Sequence, residues 1–187
     1  IIEVVIQNAN QNSDNYAMKV AIYGNTTQNK IQENIHKLPS NNTKFTLELP
    51  KVNNPTLWSI DQPNLHKIRV QLLHNGSLVD EVEETFGYRW FSFDDNGAFY
   101  LNGKKTLIRG THRHEEHAGY GAAMPNSLHR KDIEMIKEMG ANFIRLAHYP
   151  QDPEVYKACN ELGLIIWDEL PWCRGGLGNQ VWKENTK

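Results

Sequence analysis

Cysteine is scarce in this chain of 187 residues, with Cys159 and Cys173 the only two. Two thiols in segments of different character make no disulfide framework of the kind small secreted domains carry. Cys159 falls on the apolar face of an expected helix and reads as a buried free thiol. Charge of one sign is lacking too: 20 Lys and Arg stand against 22 Asp and Glu, a net charge of −2, and the basic residues are scattered. A nucleic-acid partner would need a basic footprint, so that class is excluded. No long apolar run is present either. Leu162 to Trp167 is the strongest, far too short to cross a bilayer, so no membrane partner is expected. The opening, Ile1-Ile2-Glu3-Val4-Val5-Ile6, reads as a strand already under way rather than a leader. The expectation is a soluble chain whose native N-terminus lies upstream, with cytoplasm, periplasm and secretion all left open.

What is present first is alternation. Met18, Val20 and Ile22 share one face, Lys19 and Ala21 the other, and Phe45, Leu47, Leu49 and Ile68, Val70, Leu72 repeat the pattern. Period two is the mark of a half-buried strand. Turn chemistry separates the runs at Asn8–Asn15, Pro39–Asn42 and Asn53-Asn54-Pro55, and Asn75-Gly76 is a strong hairpin signal. Short strands spaced by turns over residues 1–89 predict an immunoglobulin-like β-sandwich without a disulfide, a spacer with no catalytic constellation.

From residue 90 the grammar changes. Asn102-Gly103 predicts a tight hairpin, and Thr106–Gly110 a short strand. A helix follows, with Ser127 as N-cap and Gly140 as stop, then a strand over Asn142–Ala147. A second helix over Asp152–Leu162 has Pro153 in its first turn and ends at Gly163, and Leu164–Trp167 is an unbroken apolar strand. Strand, helix, strand, helix, strand makes two βαβ units. Polar residues cluster after each strand: His112 to His117, then His148-Tyr149-Pro150, then Asp168-Glu169. The carboxyl ends of the strands build the active face of a (β/α)8 TIM barrel. Residues 90–187 are therefore expected to be the first part of such a barrel, about three βα units and incomplete.

These segments resemble glycoside hydrolase family 2, which includes β-galactosidases, β-glucuronidases and β-mannosidases. Arg109-Gly110-Thr111-His112-Arg113-His114-Glu115 is similar to its R-G-x-N-R-H-E segment, with His112 where Asn is usual. Gly140 to Pro150 resembles G-x-N-x-x-R-x-x-H-Y-P, and Ala158 to Leu164 with Trp167-Asp168-Glu169 resembles C-D-E-x-G-L … D-E, with Asn160 in place of Asp. The resemblance covers nearly the whole chain. It implies a retaining hydrolase of β-linked sugars acting in carbohydrate metabolism, with β-galactosides first and β-glucuronides or β-mannosides as alternatives. It also implies that the acid/base and nucleophile Glu lie on later strands, so that this chain holds no catalytic residue and alone hydrolyses nothing.

On the same resemblance His114 and His148 contact the sugar, Trp172 stacks on it, and Arg145, Glu115, Asp168 and Glu169 support the site. Arg145 as a structural ion pair stays open, and Trp167 is expected to fill the core. The partner is a β-linked oligosaccharide or glycoside. No cofactor is required by this stretch; a divalent or monovalent cation and homo-oligomerisation are left open for the full-length enzyme. Two other classes stand beside this one. A zinc-dependent hydrolase would use His112 and His114, with His117 or His148 nearby. A non-catalytic carbohydrate-binding module would use the sandwich alone.

Overall fold

Alternating residues produce antiparallel sheets in the first part of the chain. The structure, a computed structural model, describes residues 2–6, 15–24, 29–38, 44–171, 176 and 178–186. The chain divides into two units, Ile1–Thr56 with Asn64–Tyr88, and Leu57–Pro63 with Arg89–Lys187. In the first unit β1 (Ile2–Val5), β2 (Tyr16–Tyr23), β3 (Lys30–Lys37), β4 (Lys44–Leu47), β5 (His66–His74) and β6 (Ser77–Phe86) form two sheets. One has the order β3-β2-β5-β6 and the other pairs β1 with β4, all antiparallel. Met18 and Val20 of β2 meet Phe45 and Leu47 of β4 in one core, with Ile2, Val4, Ile68, Val70 and Leu72 packed around it. Ala21 is buried as well, although its face was expected to be the polar one. β2 lies between β3 and β5, and a side chain that small is covered by its neighbours there.

Asn75 and Gly76 have φ of 51° and 79° and join β5 to β6, with His74 paired to Ser77. Two positive φ values are what a two-residue hairpin matched to the strand twist requires. The turns expected over Asn8–Asn15 and Pro39–Asn42 fall, apart from Asn15, outside the described residues.

The second unit opens with β7 (Phe91–Phe93), β8 (Phe99–Leu101) and β9 (Lys104–Lys105), the last two joined through Asn102 and Gly103 at φ 53° and 78°. β10 (Gly110–Arg113), β11 (Phe143–Leu146) and β12 (Ile165–Asp168) follow as a parallel sheet in chain order, linked by α1 (Asn126–Glu138) and α2 (Pro153–Leu162). A third helix, α3, spans Gln180–Asn185.

Two details differ from expectation. The first parallel strand begins at Gly110, where it was expected to end. The Asn142 amide accepts from Arg109 N at 2.8 Å and donates to Leu107 O at 2.9 Å, so a side chain satisfies backbone that the ladder would otherwise serve. Leu107, read as a strand residue, is 73% exposed. Ser127 is not a cap but lies in the first turn of α1, which starts directly after Pro125 with no side-chain cap. α2 follows its signals: Asp152 accepts from Glu154 N at 2.8 Å, Pro153 opens the helix, and Gly163 closes it at φ 76°.

Gly163 has a second reason to be glycine. A Cβ there would stand 2.3 Å from the Ile60 carbonyl oxygen. Residues 57–63 are pinned to this unit by Trp58 Nε1 donating to Asn160 O at 2.8 Å and by Lys137 Nζ donating to Ile60 O at 3.0 Å and Gly163 O at 3.2 Å.

Both helices cover one face of the parallel sheet. Ile144 and Leu146 of β11 join Ile133 of α1 and Val155, Ala158 and Cys159 of α2 in a core from which solvent is excluded. Burial pushes the Cys159 thiol up to about 12. The thiolate is the reactive form, so native protein at pH 8 should leave Cys159 unmodified by iodoacetamide, and urea should release the reaction. Peptide mass spectrometry that found Cys159 alkylated in folded protein would refute this packing. No helix among the described residues is long and apolar enough to cross a membrane.

Candidate active site

Strand parity sorts the polar residues at the carboxyl ends of β10, β11 and β12. His112, Arg145 and Trp167 share a register row, as do Arg113, Leu146 and Asp168. The second row lies on the face of Ile144 and Leu146, against the helices. The first row lies on the opposite face. Trp167 lies on that face too, with its ring edge-on to Phe143.

On that open face four of the expected residues converge. Arg145 Nε donates to Glu169 Oε1 at 2.6 Å, and His148 Nδ1 lies 2.8 Å from Glu169 Oε2. Arg145 Nη2 is also 3.2 Å from His148 Nδ1. An arginine only donates and an ionised carboxylate only accepts. The hydrogen on Nδ1 therefore belongs to the shorter contact, His148 donates to Glu169, and the arginine merely lies alongside. Hydrogen bonds from Arg145 and then His148 hold the Glu169 carboxyl below its ordinary value. Nε2 of His148 meets no partner among the described residues. The His114 ring stands edge-on to that of His148 at 5.3 Å, with His112 a further 6.1 Å from His114. The Ala147–His148 peptide is cis.

Glu115 and Asp168 are drawn elsewhere. Glu115 Oε1 accepts from Asp152 N at 2.7 Å, setting its charge against the N-terminus of α2, where the helix dipole favours it. Asp168 Oδ2 accepts from the Tyr156 hydroxyl at 2.8 Å, and its Oδ1 accepts from Glu169 N at 3.0 Å. Trp172 lies outside the described residues. His117 is turned into its own loop, with Nδ1 2.9 Å from Ala118 O and its ring beside Tyr120. Among the described residues no three His, Cys, Asp or Glu side chains are grouped as a metal ion would need.

The sequence reading missed the polar layer beneath the rim. Arg113 is buried and donates to Asp132 Oδ2 from Nε at 3.0 Å and Nη2 at 2.9 Å, and from Nη1 to Gln151 Oε1 at 2.6 Å. Its Nη2 also reaches His129 Nδ1 at 3.1 Å, which makes that nitrogen an acceptor. In β10 Arg113 has the opposite parity to His112, so its side chain takes the helix face.

Two family models match this chain, "Glycosyl hydrolases family 2" over residues 1–89 and "Glycosyl hydrolases family 2, TIM barrel domain" over residues 93–186. A protein of Formosa agariphila, provisionally described as a β-glucuronidase, is 62% identical over 157 residues, or 84% of this chain and 19% of its own. A β-galactosidase of Thermoanaerobacterium thermosulfurigenes is 33% identical over 183 residues, 97% of this chain and 25% of its own. The crystal structure of the Parabacteroides merdae β-glucuronidase superposes with a TM-score of 0.82 at 39% identity, covering 91% of this chain and 21% of that one. The chain thus spans about a fifth to a quarter of the length of these relatives.

Proposed function

This chain belongs to glycosyl hydrolase family 2, and from that premise we propose that it is part of a retaining hydrolase of β-linked glycosides, with β-glucuronides its first substrate class and β-galactosides its second. Residues 1–89 serve as an immunoglobulin-like sandwich, and residues 90–187 supply the opening βα units of the catalytic barrel. The observation that carries the reading is the convergence of His114, Arg145, His148 and Glu169 on the open face of three parallel strands.

Retaining hydrolysis needs two carboxyl groups about 5–5.5 Å apart, one free to attack and one to exchange a proton. Glu169 suits neither task, since both of its oxygens are engaged. Glu115 is committed to the α2 N-terminus. As the family resemblance implies, both catalytic groups are placed on later strands of the barrel. His148 Nε2 and the His114 ring hydrogen-bond sugar hydroxyls, and Trp172 supplies a stacking surface. Arg145 keeps Glu169 ionised, and Glu169 in turn aims His148. No metal or cofactor enters these roles.

Glucuronide is put first because the Formosa relative and the Parabacteroides structure carry that activity in their descriptions. The test is kcat/KM of the full-length protein on p-nitrophenyl β-glucuronide and β-galactoside. A site built to bind a substrate's polar group rejects the analogue lacking it strongly, so a preference of at least about 100-fold for the glucuronide is expected. An equal or reversed ratio would move the galactoside into first place. Binding of both sugars with turnover of neither would favour a carbohydrate-binding module.

A further inference from the structure

Beneath the sugar-facing side chains, two rim segments are tied together by one hydroxyl. Tyr156 lies in α2, on the helix side of the sheet, and its hydroxyl bonds Gln151 and Asp168 rather than Arg145, His148 or Glu169. Its oxygen accepts from Gln151 N at 3.0 Å and donates to Asp168 Oδ2 at 2.8 Å. Gln151 ends the segment that begins at His148, and Asp168 immediately precedes Glu169. The hydroxyl thus joins the loop after β11, at Gln151, to the last residue of β12, flanking the two residues of the His148–Glu169 pair.

The brace is itself anchored. Gln151 is buried, donates from Nε2 to Arg113 O at 2.9 Å and accepts from Arg113 Nη1 at 2.6 Å. Asp168 uses its other oxygen to accept from Glu169 N, so the carboxylate that accepts the tyrosine hydrogen bond also sets the backbone of Glu169. From Tyr156 the order runs through Asp168 to Glu169, and through Gln151 back to His148.

We propose that Tyr156 is a positioning residue for the hydrolytic site: it fixes the separation of the 148–151 and 168–169 segments and so the direction in which Glu169 aims the His148 imidazole. This deepens the glycosidase reading and rests on it. Burial and the neighbouring Asp168 raise the tyrosine to about 12, so the hydroxyl keeps its donor proton across the working range of pH. Phenylalanine at this position preserves the ring and deletes only the brace, leaving the Gln151 amide and one Asp168 oxygen without their partner.

The experiment uses the full-length protein with Tyr156→Phe, alone and combined with His148→Ala. A contact tightened in the transition state is felt in kcat, so the single variant should lose about 10-fold in kcat with KM within about twofold of wild type on an aryl β-glycoside. Residues acting through one another are non-additive, so in the His148→Ala background the same change should cost less than about twofold. Hydrogen exchange read by mass spectrometry should show the Gln151 amide exchanging at least about 10-fold faster in Tyr156→Phe, without a global loss of protection. Unchanged Gln151 exchange, a loss carried by KM, or a full 10-fold multiplication in the His148→Ala background would each overturn the proposal. If Tyr156→Phe fails to fold, Asp168→Asn removes the charged end of the same brace and is held to the same kinetic criteria. A wild-type protein that cleaves no aryl β-glucuronide, β-galactoside or β-mannoside sinks the glycosidase reading, and the exchange measurement still decides whether Tyr156 braces the rim.

Discussion

Replacing His148 by alanine in the full-length enzyme is expected to lower kcat/KM on an aryl β-glycoside by about 100- to 1000-fold, with most of the loss in kcat. The imidazole is locked from one side, its Nδ1 donating to Glu169 at 2.8 Å, which leaves Nε2 as the acceptor or donor for a sugar hydroxyl. Hydrogen bonds to sugar hydroxyls strengthen as the ring approaches its oxocarbenium-like transition state. Removing one such pre-aimed group typically costs about 2.7–4 kcal/mol, which sets the range above. His148 is partly exposed and lies on the face that no helix covers, so thermal unfolding should barely move. Near-normal turnover together with early melting would make His148 a structural residue and remove the sugar contact.

Arg113→Met is expected to have the largest effect on stability of any single change on the helix side of the barrel. Three hydrogen-bonding groups, on Asp132, Gln151 and His129, converge on a guanidinium that is almost fully buried. Removing one partner of a buried charged network usually costs about 3–5 kcal/mol, because the groups left behind have lost their water as well as their partner. Asp132 keeps some access to solvent, so about 3 kcal/mol is the expectation here, read from the urea midpoint of the barrel transition in the full-length protein. Arg113→Lys should rescue little, since an ammonium cannot serve three acceptors in the plane of a guanidinium. Arg69→Ala is the contrasting case. Its pair with Glu83 stands on an exposed sheet face, where solvent screening leaves such a contact little to contribute. Equal losses from Arg69→Ala and Arg113→Met would refute the assignment of a buried network.

The elements easiest to read in the sequence were those whose cause is local. Asn75-Gly76 and Asn102-Gly103 specify their turns through the φ they permit, and Asp152-Pro153 and Gly163 bound a helix by chemistry at its own ends. The rim histidines and Glu169 were legible because they follow strands, and the barrel rule says where strand ends point. Longer-range causes were not. Thr106–Gly110 read as a strand because Leu107 and Ile108 are apolar, yet the backbone there is held by an amide from Asn142, 35 residues away along the chain from Leu107. Tyr156 went unnoticed because nothing within α2 distinguishes it from a packing residue. Its meaning depends on how the helix is rotated over β12.

The strap at residues 57–63 bears on how the protein is made. Trp58 emerges from the ribosome 102 residues ahead of Asn160, the carbonyl it will bind, and Gly163 follows shortly after. At synthesis rates of about 5–20 residues per second, that interval is roughly 5–20 seconds. During it, β5 and β6 can already pair with β2, so the first unit has time to fold around a loop whose own partners do not yet exist. For that interval Trp58 is a large apolar side chain without its pocket, and the nascent chain is most open to chaperone capture then.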